Sequence, residues 1–146
     1  MEGPTWILGM FKHLYNAIRF SILARKSGKL SGQERYEESL NVLDQMIQLP
    51  VADFIKAGIV IIKGNTFTKM GRDREAIECY EDFLQNHQKD IKLDRDRIYL
   101  RAYTIFLRDH AARRLDQSHP ITISKQEVLE LGKKATLMIR EDYQLN

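Results

Sequence analysis

The chain has 146 residues, enough for one domain with a single buried core. Hydrophobic residues make up 43% and charged residues 29%, proportions that fit a globular protein rather than a disordered one. Lys and Arg number 23 against 20 Asp and Glu, and the two signs alternate along most of the chain, which argues against nucleic acid as a partner, because its binders concentrate a basic stripe.

The first predicted helix covers 5–26. Thr5 is an acceptable N-cap, and Ile7, Phe11, Leu14, Ile18 and Ile22 recur at helical spacing. Ser27-Gly28 is expected to stop it, with Arg25 and Lys26 complementing the dipole of the last turn. A second helix over 33–48 presents Tyr36, Leu40, Leu43 and Ile47 on one face, and Pro50 ends it. A third over 52–70 closes at Gly71, a residue suited to a left-handed C-cap. Asp73 is then expected to cap a fourth helix over 74–87.

A polar stretch, 88–92, leads into a fifth helix over 93–115, with Ile98, Ala102, Ile105 and Leu107 on its inward side. His119-Pro120 breaks the chain and 121–123 reads as extended. Ser124-Lys125-Gln126-Glu127 is a capping box that opens a last helix to about residue 141. The only strand-like run is 60–62. These elements predict an all-α single domain, 1–146, built from about three antiparallel helical hairpins (1–50, 51–90 and 91–146), because consecutive short-linked helices must bury facing apolar stripes.

The middle hairpin carries a further pattern. Gly64, Phe67, Gly71, Ala76 and Tyr80 place small and aromatic residues at fixed intervals across two helices and their turn. Gly64 and Ala76 lack bulk where the helices cross, Phe67 and Tyr80 fill the space around the crossing, and Gly71 permits the reversal. This segment resembles a tetratricopeptide repeat, whose 34-residue unit has small and aromatic residues at these places. Two residues depart from that pattern: Phe83 stands where Ala is usual, and Gln88 where Pro is usual. The flanks match less well. Ser39 takes the small position of a second helix, and Ile98, Ala102 and Ile105 repeat the spacing of Val60, Gly64 and Phe67. They read as degenerate capping repeats, with a plain helical bundle as the alternative.

The resemblance implies a short right-handed superhelix whose concave side is lined by the first helix of each hairpin and takes a peptide or helix of a protein partner. Carried onto this chain, the groove-facing positions are Gly58, Ile61, Ile62, Asn65, Thr68 and Lys69, continued by Tyr99 and Tyr103. Asn65 would bond a peptide backbone and Lys69 a carboxylate. Chaperone-binding members place a lysine one turn before the asparagine; Ile61 stands there instead, so a chaperone tail is not the expected ligand.

No catalytic constellation is evident. His13, His87, His110 and His119 form no pair at a spacing of three or four, and no Cys or carboxylate cluster completes a metal site. Cys79 lies beside Glu78 and Glu81, a setting that disfavours a thiolate. Asp94 and Asp96 lack the glycine and distal Glu of a calcium loop. Gly28-Lys29 with Ser31 lacks the earlier glycine of a phosphate loop. The expectation is a non-catalytic adaptor or assembly subunit with no cofactor and no metal, its oligomeric state open.

The lone cysteine fits a reducing compartment, and the apolar stretch 6–24, broken by Lys12, His13, Asn16 and Arg19, is too interrupted to span a membrane. No cleavable leader is expected, so the expected location is cytoplasmic. The eleven apolar residues Trp6, Ile7, Leu8, Met10, Phe11, Leu14, Tyr15, Ile18, Phe20, Ile22 and Leu23 nevertheless exceed what one core-facing stripe needs, and Trp6, Phe11, Leu14, Ile18 and Ile22 form a possible second interface. They would meet a partner, another copy or a membrane surface, or wrap into the core. The membrane case would make the protein a peripheral complex subunit, with Lys12, Arg19, Arg25 and Lys26 suited to anionic headgroups.

Overall fold

A computed structural model describes the backbone of residues 5–144 and the side chains of residues 8–134. Six helices follow in order: α1 (Thr5–Gly32), α2 (Tyr36–Ile47), α3 (Asp53–Lys69), α4 (Asp73–Asp82), α5 (Asp94–Leu115) and α6 (Lys125–Gln144). A π-helical turn, Phe83–His87, and a 3-10 turn, Gln88–Asp90, link α4 to α5. No strand occurs among the described residues. The β-branched run at 60–62 lies inside α3, where Val60 and Ile61 are buried; tertiary burial overrides local propensity there. Each helix packs on the next in chain order.

The first helix differs most from expectation. It runs through Ser27 and Gly28 to Gly32, because its last two turns still have a partner to bury against. Leu30 is buried, and Ser39 Oγ donates to the Ser27 carbonyl at 3.0 Å, with the two hydroxyls also 3.0 Å apart. A mid-helix glycine costs about 0.5–1 kcal/mol; burying Leu30 contributes about 2 kcal/mol and outweighs it. The actual stop is Glu34, whose φ of +60° is left-handed, with the Arg35 N–H returning to the Leu30 carbonyl at 2.9 Å. The second helix therefore begins at Tyr36 rather than at 33.

Gly71 behaves as its sequence suggests: its φ is +72°, and the Arg72 N–H bonds to the Phe67 carbonyl at 2.9 Å. Asp73 does not cap α4. Its carboxylate instead accepts Nε and Nη2 of Arg114 at 2.9 and 2.7 Å, fastening the start of α4 to the end of α5. The α6 capping box forms, with Glu127 Oε2 accepting the Ser124 N–H at 2.7 Å and Ser124 Oγ accepting the Glu127 N–H at 3.2 Å. The Thr5 cap and the side chains of Trp6 and Ile7 lie outside the described residues.

The turns after α1 and α3 are the same turn. Every residue of the second hairpin is numbered 37 above its counterpart: Leu30 and Phe67, Glu34 and Gly71, Arg35 and Arg72, Glu38 and Glu75, Ser39 and Ala76. Both arginines reach forward to their glutamates, at 2.6 Å for Arg35–Glu38 and 2.8 Å for Arg72–Glu75. Both hairpins bury a small residue where the helices cross, Ser39 and Ala76. In the second, a Cβ on Gly64 would come within 2.5 Å of Tyr80 Cε1, so the ring occupies the room that glycine leaves. Arg72 also stacks over Phe67, 4.8 Å from the ring centroid, and joins the hairpins through Glu37 at 2.7 Å.

The third hairpin is built differently. Gly132 of α6, not a residue of α5, gives room to an aromatic ring: a Cβ there would meet Tyr99 Cε2 at 3.1 Å. Ile98, expected inward, is exposed. Its long loop is anchored by Asp109, a fully buried carboxylate that accepts the Thr122 N–H at 2.9 Å and Oγ1 at 2.5 Å, and Arg108 Nη2 at 2.8 Å. Burial works against the charged form of Asp109, but the Thr122 and Arg108 bonds together outweigh it and hold the carboxyl below the usual range.

Candidate functional site

One stripe of α3 carries half of the predicted groove positions. Gly58, Ile62, Asn65 and Lys69 follow at helical spacing along one side of α3. The stripe lines two hollows. Ile62, Asn65 and Lys69 border the first, about 500 Å³, whose opposite wall is Gly28, Ser31 and Gly32 of α1 and whose floor includes Leu43 and Met46. Lys69 Nζ reaches across it to Ser31 Oγ at 3.4 Å. Gly58 and Tyr99 border the second, about 540 Å³, together with Phe54, Ile91 and Leu93.

Asn65 is oriented from behind. Tyr80 is fully buried and its hydroxyl donates to Asn65 Oδ1 at 2.8 Å. Thr68 Oγ1 lies 3.2 Å from the same phenol oxygen, and since the phenol has one proton, Thr68 donates. Burial pushes the Tyr80 phenol up to about 12, so it remains a donor throughout the neutral range. The amide of Asn65 is thus fixed by its oxygen, and its Nδ2 bonds to no described residue.

Ile61 does not line either hollow. It is buried with Ala57, Val60, Phe83 and Ile91, because one position along a helix is a rotation of about 100°, and that turns it towards the interior. Thr68 is half-buried and committed to Tyr80. Tyr103 packs partly buried against the Ala57–Phe83 cluster and stacks on Tyr99, with centroids 6.1 Å apart and planes 13° apart. The arrangement therefore separates Ile62, Asn65 and Lys69 from Gly58 and Tyr99, with Tyr103 behind the second group.

The first hollow also contains residues that sequence reasoning missed: Gly28, Ser31 and Gly32, which lie at or beyond the expected helix stop at Ser27-Gly28. The signal was present as the 37-residue echo of Leu30-x4-Arg35-x2-Glu38-Ser39 in Phe67-x4-Arg72-x2-Glu75-Ala76. Ending α1 at Gly28 concealed it.

Elsewhere on α1, Phe11, Leu14, Ile18 and Ile22 are each more than half exposed. Phe20, Leu23 and Leu30 of the same helix pack into the cluster of Leu40, Leu43 and Met46. Continued towards the N-terminus, that core-facing line meets Asn16, His13 and Gly9, so the two apolar stripes lie on nearly opposite faces of α1. No described helix is long and apolar enough to cross a membrane. Among the described residues no group of three His, Cys, Asp or Glu is placed to hold a metal ion. Burial, the largest influence, pushes the half-buried Cys79 thiol up to about 11, with Asp82 and Glu78 acting in the same direction and Lys63 against it.

No family model, curated protein or solved structure matches this chain. The geometry is therefore the basis for a functional reading.

Proposed function

We propose that the protein is a non-catalytic adaptor or assembly subunit of tetratricopeptide-like construction, which holds a peptide or helix of a protein partner in the hollow between α1 and α3. The observation that carries this reading is the equivalence of the first two hairpins. It makes α1 and α3 corresponding first helices, and the walls of one hollow come from both of them.

The lining suits an extended or helical guest. Ile62 is 49% exposed and offers an apolar contact. Asn65 Nδ2 can donate to a main-chain carbonyl while Oδ1 is held by Tyr80. Lys69 can meet a carboxylate with little rearrangement, since its ammonium is held among the described residues by one long hydrogen bond, to Ser31 Oγ at 3.4 Å. The glycines of the α1 wall let a guest backbone approach closely; apart from the adjoining helix backbone, neither Gly28 nor Gly32 has an atom within 4 Å of the place a Cβ would take.

The test is an affinity capture from the native source with the intact protein and with Asn65→Ala/Lys69→Glu, read by mass spectrometry. A partner captured by the intact protein and lost by the double variant is expected. A partner captured equally by both contradicts the reading.

A further inference from the structure

The second hairpin supplies a template for the exposed face of the first. In α3, Ile55 and Ile59 turn towards the preceding hairpin and join the cluster of Leu40, Leu43 and Met46, where Ile59 is 2% exposed. Lys63 Nζ completes that contact through Asp44 Oδ1 of α2 at 2.6 Å. The counterparts, 37 positions lower, are Ile18, Ile22 and Lys26. Ile18 is 53% and Ile22 61% exposed, and Lys26 is exposed too, with no salt bridge of the Lys63–Asp44 kind among the described residues, although its charge reaches the Glu38 carboxylate. The face that α3 covers with a helix is thus present on α1 without a cover among the described residues.

This face is also longer than its template. Asn16 corresponds to Asp53, the first residue of α3, yet α1 starts at Thr5 and extends the stripe through Phe11 and Tyr15. From Phe11 to Lys26 the stripe is about 22 Å long at 1.5 Å per residue, enough to take four turns of a helix. Its charge is one-sided. Lys12, Arg19, Arg25, Lys26 and Lys29 lie in α1 with no Asp or Glu, leaving 18 basic against 20 acidic residues in the rest of the chain.

We propose that this face seats one α-helix of another protein, an acidic helix with an apolar stripe arranged as Leu43, Asp44 and Met46 are on α2. The apolar stripe covers Ile18 and Ile22, and its carboxylate takes the place of Asp44 at Lys26. The α1 helix of a second copy would bring like charges together and does not fit. This inference rests on the hairpin equivalence and not on the α1–α3 hollow.

The test uses the template itself: a stapled, fluorescent peptide of residues 36–49, titrated into the full chain and read by anisotropy. Saturable binding is expected, weakened about tenfold or more by Ile18→Asp, as for loss of an interface anchor. Lys26→Glu is expected to weaken it too, with recovery when the peptide carries Asp44→Lys. Both positions are exposed, so unchanged circular dichroism should accompany both variants. Asn65→Ala/Lys69→Glu is expected to bind the peptide normally, which keeps this site distinct from the hollow. Absence of saturable binding, or binding indifferent to Ile18→Asp, overturns the proposal. So does co-sedimentation with phosphatidylserine-containing vesicles that requires Ile18 and that the peptide does not inhibit, which would make the face a lipid contact. A concentration-dependent doubling of mass abolished by Ile18→Asp would assign it to a second copy and overturn it equally.

Discussion

Replacing Gly64 with alanine puts a methyl group where the Tyr80 ring already lies, 2.5 Å from Cε1 and 2.9 Å from Cδ1. Carbon atoms in contact prefer about 3.5–4.0 Å, so roughly 1 Å must open between α3 and α4. The ring cannot swing aside freely, since Tyr80 is fully buried and its hydroxyl is bonded to Asn65 and Thr68. Overpacking of this kind costs about 1–3 kcal/mol, and the helix propensity of alanine offsets about 0.5–1 kcal/mol of it. The expected net loss is about 1 kcal/mol, in a span of about 0–2.5 kcal/mol by this arithmetic. Gly58→Ala in the same helix is the control: no atom lies within 4 Å of its Cβ position, so propensity alone should stabilise by about 0.5–1 kcal/mol. Urea denaturation followed by circular dichroism reads both as midpoint shifts at constant slope. A Gly64→Ala protein at least as stable as the parent, or equal losses at both positions, would refute the close crossing.

Glu34→Gly should stabilise by about 0.5–1 kcal/mol in the same assay, because the left-handed φ of +60° costs a side chain about 1–2 kcal/mol and glycine little. Asp109→Asn should destabilise by about 2 kcal/mol, since an amide cannot accept from both Thr122 groups and Arg108 as a carboxylate does. The Asp109 carboxyl is held low in the fold, so its contribution is full above the unfolded value near 4 and fades as pH falls through the folded value; acid melts of Asp109→Asn should lack that increment. Cys79, with its thiol pushed up to about 11, should react with iodoacetamide at pH 8 roughly two orders of magnitude more slowly in the native chain than in denaturant. Equal rates would show that the thiol is not held in that environment.

Much of the helical pattern was legible because it rests on local chemistry. Gly71, Pro50 and the Ser124–Glu127 box each act within a few residues, and each marks a boundary where it was expected. The departures come from long-range contacts. Gly28 reads as a stop in isolation, but Leu30 and the Ser27–Ser39 pair, joining residues twelve apart, keep the helix going. Asp73 reads as a cap, but Arg114, forty-one residues on, takes its carboxylate. Within the candidate site, the tetratricopeptide resemblance supplied Ile62, Asn65 and Lys69. It could not distinguish Ile61 from Ile62, because the decision belongs to Phe83 and Ile91 on other elements. The wall contributed by α1 became visible only once the second hairpin was seen to repeat the first.

The most direct test of the account is hydrogen–deuterium exchange on the full chain with and without the captured partner. The account predicts new protection in two segments together, 24–32 of α1 and 62–69 of α3, which face each other across the hollow. Protection elsewhere, with both segments exchanging as they do in the free protein, would contradict it.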